Sequence, residues 1–389
     1  MFDRLKINFL KKWWLSIDST LFLLVFLIIA LGNIFTAVAS PVVANRIGAT
    51  SDIFIIKNII FSLVGAIIII TLSLLNKDQI KVVSIVGINL LLILMVLVLI
   101  FGSTNKGAKR WIYIGGFSLQ PSEIIKPFFI VTVSYILTRF KKEENFNIIV
   151  ASFVYIVLAI LLIMQPDIGM LILMSSVFFS QLFLIGIDYK YFIAVGSIIV
   201  VSAVLLYFSF PHFHNRINVF MSSTFFGGEK SYQVEKSLLA FKNGGLLGKG
   251  PLEGSIKNYI PDAHTDFIFS VVGEEFGSIV CAIIIFIYFY IAFRIILEVM
   301  DNKDNFLFIS ACSLTIQFLL QTVINIGVTL SLLPTKGMTL PLISYGGSSM
   351  IGTSITIGFL LVLTKRSYGN LLSRTDELVV FKPDAKNEE

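Results

Sequence analysis

The sequence predicts an all-α integral membrane protein of about ten transmembrane helices, with one long outer loop between helices 7 and 8. Three observations predict it. Of 389 residues, 56% are hydrophobic and only 14% are charged, against about 25% charged in soluble domains. Mean hydropathy is +0.89. Apolar runs long enough to cross a hydrocarbon core of about 30 Å as helices recur along the whole chain, and none alternates as membrane β-strands do.

The spans read as roughly 18–40, 53–75, 80–101, 123–139, 147–164, 168–187, 190–210, 267–293, 305–332 and 341–364. The first run continues to Ala39, too long for the apolar core of a signal peptide. The second and third are separated by a short basic connection with Lys77 and Lys81, and the fourth ends at Arg139, Lys141 and Lys142. Gln165-Pro166-Asp167 divides the fifth from the sixth, and Lys190 precedes the seventh. The long loop, about 211–265, separates the seventh from the eighth, whose inner end carries Arg294 and Lys303. Leu333-Pro334-Thr335-Lys336-Gly337 separates the last two. More than half of the 30 basic residues then fall on the side of both termini, which the positive-inside rule makes cytoplasmic. The expected division is a cytoplasmic segment 1–17, a membrane domain 18–365 and a cytoplasmic tail 366–389.

The net charge of +6 is modest and suits anionic lipid headgroups; it gives no case for nucleic acid. Cys281 and Cys312 both lie in apolar runs, so there is neither a disulfide framework nor a metal-ligand spacing. Within the long loop Val234, Leu238 and Phe241 share one helical face among charged residues, and Gly244-Gly245 ends the run. That pattern predicts a short amphipathic helix at the membrane interface.

Four polar clusters fall on the outer side under this topology. They are Lys106 to Trp111 with Gln120 to Pro127; Gln165-Pro166-Asp167; Pro261 to Asp266 with Glu274-Glu275; and Leu333 to Gly337 with Ser344 to Ser349. Each also has a plain structural reading. Lys109 and Arg110 suit lipid headgroups as well as phosphate. Glu123 and Lys126, three apart on one helical face, suit an ion pair. Asp167 and Asp266 both stand where they can cap the following helix. His264 suits packing, and the Ser344 to Ser349 run suits a close helix contact.

At these same residues the sequence resembles the SEDS proteins (shape, elongation, division and sporulation), the polytopic family that includes RodA and FtsW. The matching stretches are Gly107-Ala-Lys-Arg-Trp-Ile, Phe117-Ser-Leu-Gln-Pro-Ser-Glu, Gln165-Pro-Asp-Ile-Gly, Gly244-Gly-Leu-Leu-Gly-Lys-Gly, His264-Thr-Asp-Phe-Ile-Phe with Gly273-Glu-Glu-Phe-Gly, and Pro341-Leu-Ile-Ser-Tyr-Gly-Gly-Ser-Ser. They occur in order across about residues 100–365. The Leu333-Pro-Thr-Lys-Gly segment looks like the division branch, FtsW. Three departures stand out: Asp262 where Glu is commoner, Lys236 where Gln is usual, and Lys242-Asn243 where a small pair is usual.

The resemblance implies a peptidoglycan glycosyltransferase that polymerises lipid II into glycan strands, in the bacterial inner membrane at the division septum. It implies a single-span class B penicillin-binding transpeptidase (FtsI-like) and other division proteins as partners. It nominates Asp266 as the catalytic base and Arg110 as the pyrophosphate ligand, helped by Lys109 and Lys336. Glu123, Lys126, Asp167, His264, Ser344 and Tyr345 complete the expected substrate-binding set. A divalent cation, Mg or Mn, at Asp266 is compatible with the chemistry, although no complete ligand set is visible. Two rival readings are a lipid II flippase, with the same residues lining a translocation path, and a non-catalytic division scaffold.

Overall fold

The computed structural model describes residues 9–46, 52–105, 108–114, 117–139, 144–187, 232–300, 302–335 and 337–365, with positions 48, 50, 207, 208, 214 and 218. The described helices are α1 (Phe9–Ser16), α2 (Ser19–Arg46), α3 (Ile53–Ser73), α4 (Lys77–Phe101), α5 (Pro121–Arg139), α6 (Glu144–Met164) and α7 (Ile168–Leu184). After the long loop come α8 (Tyr232–Gly244), a 3-10 turn (Ile256–Tyr259), α9 (Ile268–Met300), α10 (Asn305–Thr329) and α11 (Gly347–Leu363). Every expected span other than the seventh coincides with one of these helices. The seventh, 190–210, lies outside the described residues but for positions 207 and 208. The amphipathic helix expected in the long loop is α8, which buries Val234, Ser237 and Ala240.

One element corrects a purely helical picture. The connection between α4 and α5 folds as a three-stranded antiparallel meander of β1 (Ser103–Asn105), β2 (Ala108–Ile114) and β3 (Phe117–Leu119). Trp111 pairs with Ser103, and Ile112 pairs with Leu119. The aromatic and β-branched run Trp-Ile-Tyr-Ile favours a strand and is too short to span a membrane.

The helices divide into an inner and an outer set. α5 and α11 are buried along most of their length, and α10 nearly so. In contrast α3, α4 and α6 turn apolar side chains outward, among them Ile60, Leu63, Ile67, Val86, Leu90, Phe153 and Ile156. Lipid tails solvate such faces as well as a protein core would. The inner contact is close at one point. Pro127 has no N–H to give the Glu123 carbonyl one turn earlier, and Gly352 of α11 fits against that carbonyl; a Cβ there would lie 2.4 Å from the oxygen.

α9 is broken at Gly277 (φ 84°, ψ 169°). The break leaves backbone groups without helical partners, and the glycine-rich segment after α8 supplies them. Lys249 and Gly250 donate to the carbonyls of Glu274 and Glu275, while Ser278 and Ile279 donate to those of Gly245 and Leu246. The two buried carboxylates finish the join. Glu274 accepts from the amides of Ile256 and Lys257, each at 2.7 Å. Glu275 accepts from the Gly254 amide and pairs with the Lys257 ammonium. The part of α9 after Gly277 is by itself long enough to cross a core of about 30 Å.

Candidate active site

The turn before α9 is held by its backbone. Three consecutive carbonyls each accept one hydrogen bond, two from the segment before α11 and one from α10. Tyr345 N donates to His264 O at 2.9 Å, Ser344 Oγ to Thr265 O at 2.6 Å, and Asn325 Nδ2 to Asp266 O at 2.9 Å. Asn325 Nδ2 also donates to Met338 O at 2.6 Å, so one α10 side chain joins this turn to the segment before α11. Phe267 O accepts the first helical bonds of α9, from Ser270 and Val271. Phe267 is therefore the N-cap position, and Asp266 lies one residue outside it. Its carboxylate reaches Gly337, where a Cβ would stand 3.4 Å from Oδ2.

His264 and Tyr345 belong to an aromatic group at this turn. The His264 ring lies 4.8 Å from that of Phe54 and 5.1 Å from that of Tyr345. Burial pushes the imidazole down to about 4, against a smaller upward pull from Asp262, so the ring is neutral at neutral pH.

The turn before α7 is held differently. Asp167 caps α7 through the Met170 amide, accepts from Gln120 Nε2 and Ser122 Oγ, each at 3.3 Å, and pairs with Arg110 at 3.6 Å. Burial raises its carboxyl above the ordinary value, opposed chiefly by Arg110. Arg110, expected as the pyrophosphate ligand, has other work. Nε donates to Gln165 O at 2.9 Å and Nη2 to Pro166 O. Its fork is matched to two carbonyls and a carboxylate, which staples β2 to the α6–α7 turn. Lys109 is exposed on the same strand.

Glu123 and Lys126 also meet, at 2.7 Å, and Lys126 Nζ donates to Gln321 Oε1 at 2.7 Å. Lys126 is fully buried, which makes it a brace between α5 and α10 rather than a group presented to substrate. The seam continues from Gln317 to Gln321 at 3.1 Å and from Gln321 to Thr339 O at 3.1 Å. Lys336 lies outside the described residues.

These pieces surround one cavity of about 290 Å³, lined by Lys57 and Phe61 of α3, Trp111 and Ser118 of the meander, Gln120 and Glu123 at the start of α5, Asp262, Thr265 and Asp266 before α9, and Gly337, Thr339 and Tyr345 to Ser349 around the start of α11. That size is at the lower end for ligand pockets, about 300–1,000 Å³. α11 starts there without a side-chain cap on its first amides, the polarity that suits anions. Of the nominated residues, Asp266, Glu123 and Tyr345 line the cavity; Ser344, His264 and Asp167 hold its walls. Among the described residues no group of three or more acids, histidines or cysteines could hold a metal ion.

Two residues escaped the sequence reading. Asn325 was hidden in an apolar span, although Gln317, Gln321 and Asn325 recur every four residues on one face of α10. Lys57, which also lines the cavity, is the one charged residue in the sequence of α3.

Residues 18–369 match the cell cycle protein family that groups FtsW, RodA and SpoVE. The chain is 33% identical over 362 residues to a probable peptidoglycan glycosyltransferase FtsW of Caulobacter vibrioides, covering 92% of each. It is 35% identical over 360 residues to a protein of the same name from Escherichia coli O157:H7, covering 88% of this chain and 85% of that one. A solved structure from work on the coordination of polymerization and crosslinking by a peptidoglycan synthase complex superposes with a TM-score of 0.72 at 21% identity, over 90% of this chain and 98% of the other. The rod shape determining protein RodA of Thermus thermophilus superposes with a TM-score of 0.66 at 23% identity, over 90% and 97%. The two structures bear on the fold alone.

Proposed function

The chain belongs to the FtsW, RodA and SpoVE family of cell cycle proteins, and from that premise we propose that it polymerises lipid II into glycan strands for the division septum. The observation that carries this reading is the placement of Asp266: a carboxylate outside the helix cap, on a cavity wall, in a turn whose backbone is fixed by α10 and by the segment before α11. In the reaction a sugar hydroxyl of one lipid II attacks the anomeric carbon of another. The new carbon–oxygen bond forms as the bond to pyrophosphate breaks, with inversion by analogy with inverting glycoside chemistry. Asp266 takes the hydroxyl proton as general base, and undecaprenyl pyrophosphate leaves. Any divalent cation at Asp266 would draw most of its ligands from the substrate's own pyrophosphate oxygens.

The flippase reading needs an open polar route to the far end of the bundle. The polar seam from Glu123 through Lys126, Gln321 and Gln317 is instead closed, with the last three no more than 3% exposed. That favours an enzyme whose site opens at one end. We assign that end to the outer face and both termini to the cytoplasm, on the basic-residue bias. Labelling of introduced cysteines in intact cells checks this: position 249 should react from outside and position 141 should not. The partner is a single-span class B transpeptidase, a pairing in keeping with the peptidoglycan synthase complex cited above. Purified chain, with and without that partner, should convert labelled lipid II to glycan polymer. A folded chain that makes no polymer in either case would overturn the reading.

A further inference from the structure

An anionic pyrophosphate needs a cation in the cavity, and two of the nominated cations, Arg110 and Lys126, are absent from its lining. Arg110 is stapled to the α6–α7 turn, and Lys126 is fully buried against Glu123 and Gln321. The charged groups that line the cavity among the described residues are Glu123, Asp262, Asp266 and Lys57. Lys57 is thus the one described cation among three carboxylates.

Its position follows from its neighbours on α3. Phe54, three residues earlier, sets its ring against Tyr345, with centroids 5.3 Å apart. Phe61, one turn later on the same face, packs on Gly347, where any Cβ would lie 2.4 Å from the ring. Lys57 falls between these two contacts. It is therefore carried over residues 345–347, at the uncapped start of α11. A charged side chain in an apolar span is costly unless it faces an interior or a water-filled cavity, and this one faces the cavity that holds Asp266.

We propose that Lys57 binds the pyrophosphate of the lipid donor in this cavity. The inference rests on the reading above but concerns a step before chemistry. A lysine suits this task, because its ammonium follows a phosphate as a point charge without the fixed fork of arginine. The first amides of α11 lie on the same wall and add to the positive potential there. The leaving group is thereby held in the same cavity as the base.

The test measures binding by the full chain in detergent, with Trp111 fluorescence or labelled ligand as readout. The probes are undecaprenyl pyrophosphate and undecaprenol, which share the lipid tail and differ in charge. Lys57→Gln should weaken pyrophosphate binding about ten- to a hundredfold, the range for a charge-assisted contact, and leave undecaprenol binding unchanged. Lys57→Arg should keep most of the affinity. If Lys57→Gln melts early, Lys57→Met carries the same test. Unchanged pyrophosphate binding in a folded neutral variant would overturn the proposal, as would equal weakening for both probes. A parent chain that binds pyrophosphate in this way yet makes no polymer would sink the polymerase reading and leave this one standing.

Discussion

The turn before α7 and the turn before α9 look alike in sequence. Each places an aspartate just ahead of an apolar helix, and each aspartate has a capping reading. The structure separates them. At Asp167 the carboxylate is itself the fastener, accepting from Met170, Gln120 and Ser122 and pairing with Arg110. At Asp266 the backbone is fastened, by Tyr345, Ser344 and Asn325, and the carboxylate lines the cavity. A side chain that holds the fold together cannot readily give and take protons as well. With the turn held by the main chain, the Asp266 carboxylate stands on the cavity wall.

The sharpest way to break this comparison is Asp266→Asn. Asparagine keeps the shape and removes the base, so polymerisation should fall about 10²–10⁴-fold while the melting temperature and partner binding hold. A lipid II assay beside a melting curve reads both. Polymer at the parental rate from the folded variant would return Asp266 to a structural role.

Acid should tell the turns apart next. The His264 imidazole is held near 4 in the folded chain against about 6.5 unfolded, so the unfolded chain binds the extra proton between those values. Stability due to this group is complete above about 6.5 and drains away as pH falls toward 4, by about 3 kcal/mol at most. Asp167 works in the other direction. Its folded value is raised, so protonation relieves a burial penalty instead of adding one. Melting curves from about pH 7 down to 4 should fall less steeply for His264→Gln than for the parent. Equal slopes would mean that the imidazole is not buried as described.

Much of this was legible beforehand. The spans follow from apolar length alone, and the clusters that meet around the cavity were visible as polar residues at one end of the bundle. The meander was not, because Ala108 to Ile114 is too short to signal against the flanking spans and its pairing depends on contacts between elements. The contacts of Arg110 were not legible either. Sequence shows a guanidinium near a site, but not that Gln165 and Pro166 turn their carbonyls toward it. Asn325 and Lys57 carried a signal that was passed over: polar residues at helical spacing inside apolar spans are expected to face an interior or a site.

Asn325 gives a smaller effect on the α9 side. Asn325→Ala removes the donor that ties Asp266 O to Met338 O without touching the carboxylate. Loosened positioning should lower kcat about ten- to a hundredfold and leave KM nearly unchanged. A rise in KM with kcat intact would instead assign Asn325 to substrate binding.

The smallest effect is expected from Asp167→Asn, and it bears most directly on the difference between the two turns. The amide keeps an oxygen for the Met170 N–H, and Asn and Asp serve about equally at an N-cap. What it loses is the charge opposite Arg110 and the acceptor oxygen that serves Gln120 and Ser122. A flip of the Gln120 amide with a turn of the Ser122 hydroxyl restores those two contacts. The loss of charge is partly offset, because burying the charge is costly to begin with, as the raised carboxyl of Asp167 indicates. Nor is Arg110 abandoned, since its bonds to the carbonyls of Gln165 and Pro166 remain. Stability should therefore change by about 1 kcal/mol or less, and polymerisation should stay near the parental rate. Asp167→Ala, which removes the cap as well, should cost about 1 kcal/mol more. The pair of asparagine variants, assayed side by side, then reads as one folded protein without activity and one with it. Should Asp167→Asn lose polymer at the parental melting temperature, Asp167 would join the chemistry and the division of labour between the two turns would fail.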